Sequence, residues 1–311
     1  MKLITFILLL LMPLVNTSAI DNSPNFEIVT SNHCEEDDKL LNDQRLEVLM
    51  SKTELEFLIS LIKKYKPKKI LEIGVFKGGS SAVILNSIKD MRETKLYSID
   101  LSETCYSDSS KPTGYVVNEH FLHLAKDKWK LYLGNMAAKF IDEIGGDIDF
   151  VFIDTMHTNP GEILDFLQIL PFLKEEAVVV FHDVSCHIFA GEKLWTNCAL
   201  LSTIKGRKII PNIIPYSDLW FDIPLAFPNI GAIKLEAKQQ RFAFDYFNLL
   251  VLPWYYMPND EQISLLKAFF KKHYNDFCCS IFERAVSEHT RLHTKLQKKS
   301  VLRRIIDAIR N

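Results

Sequence analysis

Two short clusters combine residue types that bind cations and move protons: Asp154-Thr-Met-His157 and His182-Asp183. Each closes an apolar run, "DIDFVFI" and "AVVVF", of the kind that forms a strand buried on both faces. If these strands are neighbours in a parallel sheet, their acids converge on one point at its edge. Paired carboxylates suit a hard cation such as Mg²⁺, which takes oxygen ligands. The imidazole of His182 beside them also suits Mn²⁺, Fe²⁺ or Zn²⁺. The plainer alternative makes Asp154 and Asp183 helix caps or hydrogen-bond anchors, and His157 a structural loop histidine.

A second kind of chemistry is implied by "KKILEIGVFKGGSSAVIL", Lys68 to Leu85, where an apolar strand ends in a glutamate and glycines and turns at once into a helix. Gly74 and Gly78 permit a tight turn and close approach of a ligand. The helix that follows offers free N–H groups to a carboxylate or other negative group. The pattern lacks G-x-G-x-x-G, and no Lys-Ser/Thr closes it as a phosphate loop would, so neither a nicotinamide dinucleotide nor a nucleoside triphosphate is the favoured ligand. The next strand ends in "YSID", and its Asp100 can accept hydrogen bonds from both hydroxyls of a ribose. Alternatively the glycines serve only helix–strand packing and Asp100 caps a helix.

The elements that position these residues alternate in type. A capping box at Ser51 and Glu54 opens a helix with Leu55, Leu58, Ile59 and Ile62 on one face, stopped by Pro67. The spacing predicts strands at 70–73, 96–99, 131–133 and in the two apolar runs above, with helices over 80–90, 137–144 and 161–173. Continuous apolar strands alternating with helices indicate a doubly wound, mostly parallel α/β sheet covered on both faces. Residues 101–118 are polar and too long for an ordinary connection, which makes them a lid candidate. From about Trp195 the pattern blurs, with one more strand in "PNIGAIKL" and helix from Asp260 onward.

A formal charge of −2 carries no basic excess, which argues against a nucleic-acid partner. Six scattered cysteines form no C-x-x-C pair and no zinc spacing, as expected of reduced thiols. "MKLITFILLLLMPLVNTSAI" has the outline of a signal peptide, with an apolar run shorter than the roughly 20 residues of a membrane span. An upstream start codon, or a leader never exported, would account for it equally. The reading divides the chain into a hydrophobic leader (1–19), a polar leader with one short helix (20–50), a main domain (51–240) and a helical extension (241–311). In the tail, Leu302, Ile305, Ile306 and Ile309 share a helical face near Lys298, Lys299, Arg303 and Arg304, a pattern suited to an anionic membrane surface or to packing on another subunit.

The ordered set E-I-G-V-F-K-G-G-S, S-I-D, F-I-D-T-M-H and F-H-D-V resembles class I methyltransferases dependent on S-adenosylmethionine, and within them small-molecule O-methyltransferases of the macrolide-sugar type. The resemblance covers roughly residues 50–235. It implies a Rossmann-like, seven-stranded sheet whose last strand is antiparallel. It implies that Glu72, Gly74, Gly78 and Ser80 line the methionine end of the cofactor, that Asp100 holds its ribose, and that Gly134 and Asn135 lie near the adenine. By the same resemblance Asp154 and Asp183, with His182, hold a divalent metal, Mg²⁺ first, and His157 is the general base. His182 departs from the acid that some relatives carry there, which leaves the metal's identity open.

The function so implied is O-methylation of a sugar, glycan or other small molecule by a cytoplasmic enzyme; peripheral membrane contact through the termini and homo-oligomerisation are open alternatives, and the signal-like leader leaves export open. The acceptor pocket is expected from 101–118, "VSCHIFAGEKLW" and "PYSDLWFDIPLAFPN", with Trp195, Tyr216, Trp220 and Phe221 as stacking or core residues. Two rival readings are a non-catalytic cofactor-binding scaffold and a metal-independent N-methyltransferase.

Overall fold

The computed structural model describes residues 25–188, 190–212 and 229–310, with side chains to residue 296. Strand β1 (Phe26–Val29) leads through α1 (Glu35–Leu41) to α2 (Lys52–Tyr65), β2 (Lys69–Ile73) and α3 (Gly79–Ser87). Next come β3 (Lys95–Asp100), the hairpin of β4 (Thr104–Cys105) and β5 (Asp108–Pro112), and the short helices α4 (Tyr115–His120) and α5 (Leu122–Ala125). They are followed by β6 (Trp129–Leu133), α6 (Ala137–Ile144), β7 (Ile148–Ile153), α7 (Gly161–Ile169) and β8 (Leu173–His182). The remaining elements are α8 (Thr196–Thr203), β9 (Gly206–Pro211), β10 (Ile230–Leu235), α9 (Ala243–Phe247), α10 (Asp260–His273) and α11 (Asp276–Arg310).

The main sheet runs β1-β9-β10-β8-β7-β2-β3-β6. β10 is antiparallel to both β8 and β9, and the pairs from β8 to β6 are parallel. Seven strands thus form the sheet the resemblance implies, with the last of them, β10, antiparallel. The eighth, β1, comes from the stretch read as a polar leader: Phe26–Val29 pair with Lys208–Pro211 at the sheet edge. That stretch is built into the domain further on as well, for Leu40, Leu46 and Met50 are core residues. The order reverses between β2 and β7, so a crevice opens at the carboxyl ends of those two strands, where ligands of open parallel sheets bind.

Alternation along the strands decides what each face carries. Leu71, Val151 and Val179 pack with Ile141 of α6, Phe166 of α7 and Phe270 and Phe282 of the terminal helices. The extension beyond residue 240 therefore shares the core of the main domain. Ile70, Phe150, Phe152, Val178 and Val180 pack with Leu58 and Ile62 of α2 and Ile84 of α3. The start of α2 follows the sequence pattern: Glu54 N–H donates to Ser51 Oγ (3.3 Å), and Ser51 N–H donates to Glu54 Oε2 (2.7 Å).

Glu72 shares the parity of Ile70, so its side chain enters the layer between β2 and α3 and is fully buried. Ser80, Ser81 and Ser98 donate their hydroxyls to it at 2.7, 2.6 and 2.6 Å. Burial pushes this carboxyl up to about 7, and the three hydroxyls offset only part of that. The protonated form is thus favoured in the fold, and a cost of ionisation enters as pH rises from the ordinary carboxyl range through about 7. Glu72→Gln is therefore expected to gain on the wild type across that window, by about 3 kcal/mol in unfolding free energy between pH 4.5 and 8. Urea denaturation at several pH values measures it; a difference that stays flat with pH would mean that the carboxyl does not titrate there.

Among the described residues no helix is long and apolar enough to cross a membrane. The leader 1–19, the side chains of the basic tail, and Tyr216, Trp220 and Phe221 lie outside what is described.

Candidate active site

The carboxyl ends of β2, β3, β7 and β8 deliver the sequence-derived residues to one edge. The turn after β2 is pinned from both sides. Gly74 N–H donates to Ile99 O (2.9 Å) and Asp154 N–H to Ile73 O (2.9 Å). Gly74 has φ +91° and lies so close to β7 that a Cβ would come 1.8 Å from the Asp154 carbonyl oxygen. Gly74, Gly79 and Ser80 line a cavity of about 620 Å³ at this edge. Glu72 and Gly78 are not among its lining residues. Glu72 is closed off beneath the loop by its three serines, and Gly78 (φ +97°) packs against Gly114.

Asp100 lines the cavity, yet most of its carboxylate is engaged. Oδ2 accepts from Val75 N–H (2.8 Å) and Phe76 N–H (3.0 Å), and Oδ1 accepts from Ser102 N–H (2.8 Å). A carboxylate has about four acceptor positions, so this one braces the glycine loop and keeps about one position for a ligand rather than holding a ribose diol alone. Ser102 and Asn135 line the cavity beside it, whereas Gly134 is set back against Glu103.

Asp154, His157, His182 and Asp183 meet at this edge. One ligand atom from each of Asp154, His182 and Asp183 lies within 4.8 Å of the others. His182 Nδ1 is 3.4 Å from both Asp154 Oδ1 and Asp183 Oδ2. His157 Nε2 lies 3.1 Å from Asp183 Oδ2 and 3.7 Å from Asp154 Oδ1. His157 and Asp183 both take left-handed backbone (φ +54° and +56°), a conformation that costs non-glycine residues energy and concentrates at functional sites. Asn229 Nδ2 donates to Asp183 Oδ1 (2.6 Å) and fixes its second oxygen.

The electrostatics are those of a cluster short of positive charge. His182 is buried, and neither ring nitrogen has a hydrogen-bond partner. Burial presses its pKa down, but Asp154, Asp183 and Glu54 raise it well above the ordinary value. Burial likewise opposes protonation of His157, while Glu162, Asp154 and Asp183 outweigh it and bring that ring to about 9. Burial raises Asp183, and the two histidines with Asn229 more than reverse this, holding it below the usual carboxylate range. A buried imidazole with two orphaned nitrogens between carboxylates calls for a proton or a metal ion, so the donor set fits a divalent cation.

Other acids at the site were not foreseen as such. Glu162, in the first turn of α7, is fully buried; its Oε1 accepts the His157 backbone N–H and lies 3.2 Å from His157 Nδ1. Asp165, on the cavity wall, accepts from Thr155 Oγ1 (2.8 Å), and burial pushes it up to about 7 despite that bond. The signal for Glu162 was its spacing, five residues after His157 at the start of a predicted helix. The cavity walls also differ from expectation. Tyr106, on the 101–118 hairpin, contributes a ring stacked on Phe76 (4.2 Å between centroids). Trp195 is not among the lining residues; the opposite walls come from Leu49 and Met50 before α2 and from Tyr256 and Gln262 around the start of α10.

Residues 71–184, from β2 to just past Asp183, match the family model of a methyltransferase domain. Solved structures similar to this chain include the O-methyltransferase TomG from Streptomyces achromogenes, in complex with S-adenosylmethionine (15% identity, 67% of this chain and 92% of that one, TM-score 0.45). Others are a putative O-methyltransferase from Klebsiella pneumoniae (15%, 66% and 92%, 0.46) and the methyltransferase PaMTH1 from Podospora anserina, bound to S-adenosylhomocysteine (16%, 66% and 89%, 0.45). No curated protein matches the chain. The strand order, the glycine turn after the central strand and the match over residues 71–184 agree: the chain carries a methyltransferase domain on a Rossmann-like sheet.

Proposed function

We propose that the protein moves a methyl group from S-adenosylmethionine to a hydroxyl of a small molecule, a sugar included, with a divalent cation held by Asp154, His182 and Asp183. The observation that carries this reading is that the glycine loop and the Asp154–His182–Asp183 cluster, with His157 beside it, line one and the same cavity. When bound, the cofactor supplies an electrophilic methyl group and the cation lowers the pKa of a nearby hydroxyl. The loop from Gly74 to Ser80 and the first turn of α3 offer amides to the cofactor's carboxylate end. Ser102 and the remaining acceptor position of Asp100 serve its ribose, and Asn135 serves the side of the base.

His157 takes the proton. Its Nε2 faces the cluster, while Nδ1 is turned toward Glu162, which orients the ring. The acceptor side of the cavity, with Leu49, Met50, Tyr106, Met156 and Tyr256, favours an acceptor that presents an apolar or ring face beside its hydroxyl. The imidazole in the donor set favours Mn²⁺ or a similar borderline cation alongside Mg²⁺. A second reading has its own support: His182, raised far above its usual pKa among three carboxylates, would serve as a fixed internal cation in a metal-independent transfer to oxygen or nitrogen.

Calorimetric titration of the full chain with S-adenosylmethionine tests the cofactor. Micromolar binding is expected, weakened at least tenfold in Asp100→Ala, because the two hydrogen bonds that hold the glycine loop and the one to Ser102 N–H are lost along with a ligand contact. No binding to well-folded wild type overturns the reading. Turnover that survives chelation of divalent metals selects the internal-cation form.

A further inference from the structure

His182 has two edges. Its Nδ1 edge faces Asp154 and Asp183, both at 3.4 Å; its Nε2 edge faces away from them, and the carboxylate there is Glu54 Oε2, also at 3.4 Å. Glu54 was recognisable from the sequence only as half of a capping box, a role that leaves a carboxylate at a helix start and ordinarily near solvent. Here it is 4% exposed and His182 is 4% exposed, so the two form a buried pair between α2 and the end of β8. The parity of β8 explains the meeting: His182 follows Val178 and Val180 onto the face covered by α2. Glu54 lies outside the matched domain, which begins at residue 71.

We propose that Glu54 is a positioning residue for the cation site. In the loaded site it would accept a hydrogen bond from His182 Nε2–H, a 3.4 Å approach that is not yet a hydrogen bond in this structure, and leave the Nδ1 lone pair for a cation held with Asp154 and Asp183. This rests on the metal reading above. An imidazole that ligates through one nitrogen carries its proton on the other, and a buried N–H requires an acceptor. The geometry supplies one acceptor at that edge, charged and held in place by the Ser51 amide. Glu54 also adds charge: Asp154 and Asp183 neutralise a dication, and a third carboxylate behind the ring makes the imidazole a stronger donor. The start of α2 is thereby coupled to the site. The other described group with ligand-like spacing, His33, Asp38 and Glu56, differs in having the Lys52 ammonium against it, 2.8 Å from Asp38 and 3.9 Å from Glu56.

Cap and positioning roles separate by mutation. Glu54→Gln preserves a capping box, since glutamine serves at that position, but replaces the charged acceptor with a neutral amide. Ser51→Ala removes the capping hydroxyl and leaves the carboxylate. In calorimetric titration of the full chain with Mn²⁺, Glu54→Gln is expected to bind about 10–100-fold more weakly than wild type. Ser51→Ala is expected to lower the apo Tm while leaving Mn²⁺ affinity unchanged. Wild-type affinity in Glu54→Gln, or an equal loss in Ser51→Ala, overturns the positioning role and leaves the metal site standing. A wild type that binds no Mn²⁺ overturns both. A further readout requires no variant: imidazole ¹⁵N signals of Zn²⁺-loaded wild type are expected to show His182 protonated at Nε2 and metal-bound at Nδ1. The opposite tautomer overturns the proposal.

Discussion

His157→Ala is expected to lower kcat by about 10²–10⁴-fold, the usual loss when a general base is removed, while S-adenosylmethionine affinity stays near that of the wild type. The ring meets the cluster through Nε2, 3.1 Å from Asp183, and its Nδ1 lies 3.2 Å from the Glu162 carboxylate. Its electrostatics make the expectation more specific. Burial would depress the imidazole pKa, but Glu162, Asp154 and Asp183 bring it to about 9, so in the cation-free site it is protonated at neutral pH and has no lone pair to offer. A dication held by Asp154 and Asp183, as proposed, would oppose that proton. The rising limb of kcat/KM against pH should therefore move to lower pH as divalent metal is raised from subsaturating to saturating. The stability contribution carries the matching sign: with a folded pKa above the ordinary 6.5, the protonated ring stabilises fully below 6.5, and that contribution is lost as pH rises through about 9. Steady-state rates on any hydroxylated acceptor that turns over, measured across pH at two metal concentrations, decide the matter. Undiminished turnover in the variant would remove His157 as the base.

Much of this site was legible because parallel strands enforce it. In a doubly wound sheet the carboxyl ends of neighbouring strands share an edge, so "FVFID" and "VVVFHD" could be placed together from chain order alone. What was illegible depends on packing across layers. Glu54 read as a cap because its partner Ser51 is local, whereas its contact with His182 spans from α2 to β8. Asp100 read as a ribose ligand because nothing in the sequence shows that two amides of the glycine loop already claim its Oδ2. Glu72 could have been placed correctly, since period-two alternation puts it with Ile70 on the α3 side, away from the cavity. The edge strand β1 and its neighbour β9 carry weak patterns, "FEIV" and "GRKIIP", because this end of the sheet is only partly covered and keeps charged residues. The acceptor walls escaped notice because Leu49, Met50, Tyr256 and Gln262 come from segments without motifs, folded back over the cavity from both ends of the domain.

Gly74→Ala is expected to be the most damaging small substitution in the chain, costing on the order of 3–5 kcal/mol in stability and abolishing cofactor binding. Two separate penalties coincide there. At φ +91° any L side chain is strained by about 1–2 kcal/mol. The added methyl would also lie 1.8 Å from the Asp154 carbonyl oxygen and 2.7 Å from its carbon, atoms of backbone that no rotamer change can move. Relief requires β2 and β7 to part at their carboxyl ends, which breaks the bond from Asp154 N–H to Ile73 O and displaces the first residue of the cation cluster. Against a total stability of about 5–15 kcal/mol typical of a domain, such a loss leaves little margin. Gly146→Ala is the matched control, because a Cβ there meets nothing within 4 Å and its backbone is not in the left-handed region. Urea denaturation of the two variants, with S-adenosylmethionine titration of whichever stays folded, separates the outcomes. If Gly74→Ala matched Gly146→Ala in both, the loop and the cation cluster would be mechanically independent. The close seam between β2 and β7 would then be incidental to the site rather than the joint that holds its two halves in register.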